Sequence, residues 1–171
     1  MDVISSISVS TPRPPFTRKD AVRELERHGI HGSHAYLIDV LPLIEMMWAD
    51  GIVQGVERDL LDKFLHAHID NLNALVGYNA VHYADGASFV ERFLVERPSA
   101  EMLEVLRKLI LPMRFSSSDV QRNTQQRRAI VRWCLDIGAS CVTEYPYGDH
   151  DRFSEAEKAC FEAIAASLGD D

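Results

Sequence analysis

The sequence has 171 residues, of which 46% are hydrophobic, and a formal net charge of −8. This length is enough for one domain with a buried core. The acidic excess argues against a nucleic-acid-binding protein, because such proteins present a basic surface to the phosphate backbone. Three cysteines without paired spacing do not make a disulfide framework, so we expect them to be small buried residues: Cys134, Cys141 and Cys160.

The first 16 residues are rich in serine and proline and have no helical periodicity. We expect residues 1–16 to form a flexible N-terminal arm and residues 17–171 to form a single domain. The arm lacks the basic start and apolar run of a signal peptide, and no window reaches the ~18 apolar residues of a membrane span. A cytoplasmic protein is therefore expected.

Helical periodicity begins at Thr17, which can cap a helix over residues 18–28. A second helix is predicted from near Ser33 to Gly51, and Gly51 is well placed to end it in a left-handed conformation. Pro42 lies inside it, and a break or kink is expected there because proline removes a backbone hydrogen bond. The apolar residues of this helix recur at helical spacing: Leu37, Ile38, Leu41, Ile44 and Trp48.

Three helices are predicted in the middle of the chain, at about 55–68, 87–95 and 100–111. The stretch between the first two is predicted to form a short helix and a loop. Ser99 is expected to cap the third helix, and Pro112 is expected to end it.

Two more helices are predicted near the end of the chain, at about 119–141 and 155–168. Each follows a capping box, in which a serine and a Glu or Gln three residues later satisfy each other's backbone amides. The boxes are Ser118 with Gln121 and Ser154 with Glu157. No stretch alternates apolar and polar residues over enough positions to predict a β-sheet. The predicted fold is an all-α, single-domain bundle of about seven helices.

Two distant segments share one pattern: "DGIVQGVERDLLDKFL", from Asp50, and "HDRFSEAEKACFEAIA", from His150. In each, a polar corner is followed by an apolar residue, a cap and a glutamate at the third helical position. The matching pairs are Val53 with Phe153, Gln54 with Ser154, and Glu57 with Glu157. The match predicts two pseudo-repeated helix–corner–helix units.

The first corner, within "LPLIEMMWADGIVQGVERDLL", resembles the TerB-like family, which has the tellurite-resistance TerB fold. Members carry an apolar helix ending in Ala-Asp-Gly, then an apolar residue, a small polar cap and a glutamate. The matching residues here are Ala49, Asp50, Gly51, Val53, Gln54 and Glu57. The segment "YGDHDRFSEAEKACFEAIAASL" resembles the second corner of the family. Gln54 departs from the usual Ser or Thr, and the second corner has His150-Asp151 and the insertion "VTEYPYGDHD".

The resemblance implies a non-enzymatic stress-response protein of the tellurite-resistance type. It also implies a scaffold or sensor that docks partner proteins in membrane-associated complexes, and a divalent cation held by the acidic corners. Oxygen ligands suit calcium, magnesium or manganese. The candidate metal ligands are Asp50, Glu57, Asp149, Asp151 and Glu157.

The same acidic residues have a structural interpretation. Asp50 can brace the corner after a helix C-terminus, and Glu57 can close back on the backbone near Gln54. An EF-hand is excluded, because its early ligand positions would be Met46 and Trp48, which carry no side-chain oxygen.

One alternative is a metal-dependent hydrolase that uses His150, Asp151 and nearby acids, since adjacent His and Asp occur in helical phosphohydrolases. Against it, the sequence has no His-Glu-x-x-His, P-loop or nucleophile-elbow motif. Another alternative is a structural component of a larger assembly.

Two features suggest contacts with partners. Arg128 and Arg132 share one helix face, which can form surface ion pairs or meet an acidic partner or an anionic membrane surface. The segment "EYPYGDHDRF" combines aromatic and charged residues as recognition loops do.

Overall fold

The computed structural model describes residues 16–115, 118–140 and 153–169. Within these ranges the chain forms eight α-helices and one 3₁₀ helix and has no strand. The all-α prediction is confirmed, and the number of helices is close to the seven predicted. The elements are α1 (Arg18–Arg27), the 3₁₀ helix (Gly32–Val40), α2 (Leu41–Met47), α3 (Gly55–Val76), α4 (Tyr83–Val95), α5 (Ala100–Lys108), α6 (Ile110–Arg114), α7 (Val120–Ser140) and α8 (Glu155–Leu168).

The first and last helices begin where the capping residues predicted. The Thr17 hydroxyl accepts from the Asp20 backbone amide at 3.2 Å, and the Asp20 carboxylate accepts from the Thr17 amide at 2.9 Å. Ser154 caps α8 in the same way, and α8 covers the predicted residues 155–168. These helix starts depend on contacts over three residues, which local sequence specifies.

The break expected at Pro42 is present. The chain is a 3₁₀ helix up to Val40, and α2 begins at Leu41. Pro42 therefore lies in the first turn of α2, where its missing N–H would have no intrahelical acceptor in any case. Beyond α2, Gly51 adopts a φ of +88°, the left-handed conformation predicted for the end of this segment.

The predicted end of α3 was wrong, because the helix continues past residue 68 to Val76. Ile69 and Leu72 are buried and extend the apolar face of the helix, and Gly77 ends it at a φ of +79°. The apolar contacts outweighed the polar residues of this stretch, which had suggested a loop.

The predicted role of Pro112 was also wrong, since this residue lies inside α6. A proline ring clashes with the carbonyl four residues earlier in a continuous helix. Here that residue is Lys108, the last residue of α5, and the chain breaks at Leu109 before α6 begins. The proline thus separates two helices upstream of itself.

The start of α7 differs by one residue from the prediction. Asp119 precedes the helix, and its carboxylate accepts from the Arg122 amide at 3.0 Å, so Asp119 acts as the cap. The N-terminal arm up to residue 15 and the predicted last residue of α7, Cys141, lie outside the described residues.

The two predicted helix–corner–helix units pack against each other. α2, the first helix of the first unit, contacts both helices of the second unit, α7 and α8, and α3 contacts α7. Gly138 permits close packing in α7, because a Cβ there would lie 2.2 Å from the Phe153 ring. None of the described helices combines the length and apolar composition needed to cross a bilayer.

Candidate functional site

The first acidic corner uses its carboxylates in backbone contacts. Glu57 is buried at the start of α3, and its Oε2 accepts from the Gln54 amide at 2.8 Å. Asp50 is exposed, and its Oδ1 accepts from the Ile52 amide at 3.1 Å. Both side chains therefore brace the corner, in agreement with the structural interpretation of the sequence.

The second corner repeats part of this arrangement. Glu157 is buried, and its Oε2 accepts from the Ser154 amide at 2.6 Å, while the Ser154 hydroxyl accepts from the Glu157 amide at 3.2 Å. Asp149, His150 and Asp151 lie outside the described residues, as does most of the Tyr-rich loop.

The metal site proposed for the corners stays a prediction. In the described part of the chain, no three His, Cys, Asp or Glu side chains form a group that could hold a metal ion. Asp149 and Asp151 are not in that part, so the acidic set of the second corner is incomplete there. Glu57 and Glu157 each use one carboxylate oxygen, Oε2, to cap the start of a helix.

A second constellation was not anticipated from the sequence. Asp39, in the 3₁₀ helix, is buried and faces Arg114 of α6, whose Nε lies 3.1 and 3.3 Å from the two carboxylate oxygens. His68 of α3 places Nε2 3.6 Å from the same carboxylate and 2.9 Å from the Tyr36 carbonyl. Because a carbonyl only accepts, Nε2 carries the proton. Each buried charge thus has partners, as burial requires.

This Asp39–Arg114–His68 cluster forms part of the wall of a cavity of about 360 Å³ between α3 and α7. Gln126 of α7 lies beside the cluster. With its side-chain amide turned so that both of its polar atoms find partners, its nitrogen donates to the Arg114 carbonyl at 3.2 Å and its oxygen accepts from Nη2 of Arg114 at 3.3 Å. The rest of the wall is partly aromatic and partly amide, and includes Phe64, Asn71, Gln125 and Trp133. The cavity therefore offers both apolar surface and hydrogen-bonding groups.

A second cavity, of about 500 Å³, adjoins the first and shares with it Leu72, Leu75, Arg114 and Arg122. We call the two cavities together the α3–α7 groove. Its rim is apolar and exposed, with relative exposures of 57% for Leu75, 47% for Val76 and 67% for Tyr78. Neighbouring exposed apolar side chains of this kind are typical of binding surfaces.

A separate buried ion pair joins other helices. Arg107 of α5 pairs with Glu45 of α2 and donates from Nε to the Ser167 hydroxyl of α8 at 2.6 Å. Burial raises the pKa of Glu45, although the Arg107 contact works in the opposite direction. These contacts join α5 to α2 and to α8. The buried ion pair between Arg107 and Glu45 therefore has a structural role in the packing of these helices.

The two described cysteines agree with the interpretation as buried residues. Cys134 is fully buried and Cys160 partly so. Burial raises the pKa of both thiols, that of Cys160 to about 12. Thiols with such pKa values are mostly protonated at neutral pH and react slowly.

The sequence did not predict the groove, because the three residues of the Asp39–Arg114–His68 cluster come from segments that are far apart in the chain. Asp39 alone carried a local signal, an acid inside the apolar run from Leu37 to Val40. Arg114 is 75 residues away in sequence, and His68 is on another helix, so only the folded chain brings them together.

Comparisons with protein-family models, with curated proteins and with solved structures find no significant match to this chain. The TerB-like resemblance thus depends on the two corner motifs.

Proposed function

We propose that this protein is a non-enzymatic, TerB-like stress-response module that acts by binding, with the α3–α7 groove as its binding site. The observation that carries the proposal is an open groove beside a buried ionic cluster. Asp39, Arg114 and His68 are held by one another, by Gln126 and by the Tyr36 carbonyl. A wall whose polar groups are fixed before a ligand arrives loses little entropy on binding.

The size and lining of the groove support this proposal. Its cavities, about 360 and 500 Å³, fall within the range of ~300–1,000 Å³ that small-molecule sites occupy. Apolar walls with a few fixed polar groups are also the usual composition of such sites. The rim formed by Leu75, Val76 and Tyr78 is apolar and exposed. A ligand that covers it removes apolar surface from water, which lowers the free energy of the complex.

Survival on tellurite tests the proposal. In a tellurite-sensitive bacterial host, expression of the wild-type chain is expected to raise the tolerated tellurite concentration. Leu75→Gln, which removes an apolar side chain shared by both cavities, is expected to lower this protection. Leu135→Gln is the matched control, because Leu135 is an exposed leucine of α7 outside the groove.

Two results would count against this function. Expression without any change in survival would remove the stress role. Equal protection by wild type and by Leu75→Gln, with both chains folded by circular dichroism, would remove the groove from it.

The divalent cation of the corners is a separate part of the proposal. Calorimetric titration with calcium, magnesium and manganese is expected to show binding that Asp50→Asn or Asp149→Asn/Asp151→Asn weakens. Asparagine keeps a side-chain oxygen, so it can still accept from the Ile52 amide as Asp50 does. Binding that these variants leave unchanged would place the ion elsewhere, and the absence of binding heat would remove it.

The alternative based on His150 and Asp151 stays a prediction, because both residues lie outside the described ranges. A separate observation favours a hydrolase that uses another histidine. The His68 imidazole lies beside a cavity and is oriented by Asp39 and the Tyr36 carbonyl, as general bases often are. A screen against phosphoesters, with and without divalent metal, tests this alternative. Turnover that His68→Asn abolishes and His66→Asn preserves would replace the binding proposal with an enzymatic one.

A further inference from the structure

We infer that the α3–α7 groove binds a small amphiphile with an anionic head group and an apolar body, such as a medium-chain carboxylate. This inference rests on the proposal that the groove is the binding site and adds the chemical class of its ligand. It follows from a local reversal of charge and from the distribution of apolar surface in the groove.

The charge of the groove is opposite to that of the chain. The formal net charge is −8, but the charged residues lining the two cavities are three arginines and one acid. The acid, Asp39, already pairs with Arg114. Arg18 and Arg122 make no ion pair with any residue that the structure describes, so their two charges can attract an anion.

Arg122 is the better placed of these two cations. It lines both cavities, as does Arg114, so it lies where the cavities adjoin. The nearest acid in sequence, Asp119, caps α7 through the Arg122 amide and is not among the lining residues. A carboxylate at this junction would meet a guanidinium able to make two parallel hydrogen bonds.

The second cavity supplies the apolar part of the site. Its wall combines aliphatic and aromatic side chains from α3, from α6 and from the residues that follow these two helices: Leu72, Leu75, Val76, Val81, Met113 and Phe115. Leu75 and Val76 are the exposed part of this wall. Inorganic phosphate would leave them in contact with water, whereas an alkyl chain would cover them. Each buried methylene contributes about 0.8 kcal/mol, so apolar burial adds to the attraction of the head group.

Displacement of a fluorescent probe from the full chain tests the inference. The probe is 1-anilinonaphthalene-8-sulfonate, and the competitors share a ten-carbon tail: decanoate, decan-1-ol and decyltrimethylammonium. Decanoate is expected to compete best. Arg122→Gln should weaken decanoate about three- to tenfold, the effect of losing a charged hydrogen bond at an accessible site. Arg132→Gln, an equal charge change at an exposed position of α7 outside the lining, should have no effect.

The results separate this inference from the proposed function. If the three competitors bind equally, or if Arg122→Gln leaves decanoate unaffected, the anionic class is wrong. The groove then still stands as a site, provided that Leu75→Gln weakens all three. If no competitor binds, or if Leu75→Gln changes none of them, both the ligand class and the groove fail.

Discussion

Glu57 and Glu157 make the same contact at the starts of two helices 100 residues apart in the sequence. Each carboxylate accepts from the backbone amide three residues earlier, at 2.8 and 2.6 Å, and each side chain is buried. The two helix–corner–helix units therefore share a capping geometry as well as a sequence pattern. The same reciprocal cap also starts α1, at Thr17 and Asp20, so this geometry follows from local sequence.

Removal of the Glu57 side chain should destabilise the fold. Glu57→Ala leaves the Gln54 amide without its carboxylate acceptor and is expected to lower the free energy of unfolding by about 1–3 kcal/mol. Glu57→Gln keeps an acceptor and should cost less. Urea denaturation measures the difference. The control is Glu155→Ala, whose side chain is 93% exposed; an equal loss in both variants would contradict the capping role.

Gly138 should not tolerate alanine. A Cβ at this position would lie 2.2 Å from Cε1 of Phe153 and 3.0 Å from the terminal methyl of Met46, so the packing of α7 must shift. Overpacking of this kind costs about 1–3 kcal/mol in the free energy of unfolding. Thermal and urea denaturation of Gly138→Ala measure this cost.

Two further variants make that test specific. Gly55→Ala is the control, because nothing lies within 4 Å of a Cβ there and its φ is not positive. Phe153→Leu combined with Gly138→Ala should cost less than the sum of the two single changes, since the ring no longer fills the space. Additive losses would show that the cost of alanine at residue 138 does not come from contact with the Phe153 ring.

Loss of the Asp39 carboxylate should destabilise the fold far more than loss of an exposed ion pair. Asp39→Asn leaves the buried Arg114 guanidinium without its counter-charge and is expected to lower the free energy of unfolding by about 3–5 kcal/mol. Arg58→Gln breaks an exposed ion pair with Glu91 and should cost about 1 kcal/mol or less. Urea denaturation compares them, and similar losses would mean that the cluster is not buried as described.

The Cys160 thiol should resist alkylation in the folded chain. Burial is the largest cause that raises its pKa to about 12, so very little thiolate exists at pH 8. Iodoacetamide labelling is expected to be about a thousandfold slower in the native state than in urea, where the pKa returns to about 8.5. Mass spectrometry of peptides separates Cys160 from Cys134 and Cys141.

The same pKa implies a loss of stability at high pH. The folded thiol keeps its proton above pH ~8.5, whereas the unfolded thiol releases it. Deprotonation therefore lowers the free energy of the unfolded state as the pH rises from about 8.5 towards 12, and the free energy of unfolding decreases. Cys160→Ala should flatten this part of the stability profile, and an unchanged slope would mean that Cys160 does not contribute to it.

The sequence predicted most accurately the features that depend on near neighbours. Thr17 and Ser154 marked helix starts because a cap acts over three residues, and Gly51 marked a left-handed turn. The end of α3 and the place of Pro112 were predicted wrongly. In the first case burial of Leu72 extended the helix, and in the second the break moved upstream to Leu109.

By itself the sequence determined the all-α class, the capped helix starts and the recurrence of one corner pattern, because periodicity and capping are local properties of the chain. Only the tertiary structure decided that Asp39, His68 and Arg114 meet beside a groove lined by Arg122. The physical reason is that a buried acid must find partners wherever packing places them, and here they come from helices distant in sequence.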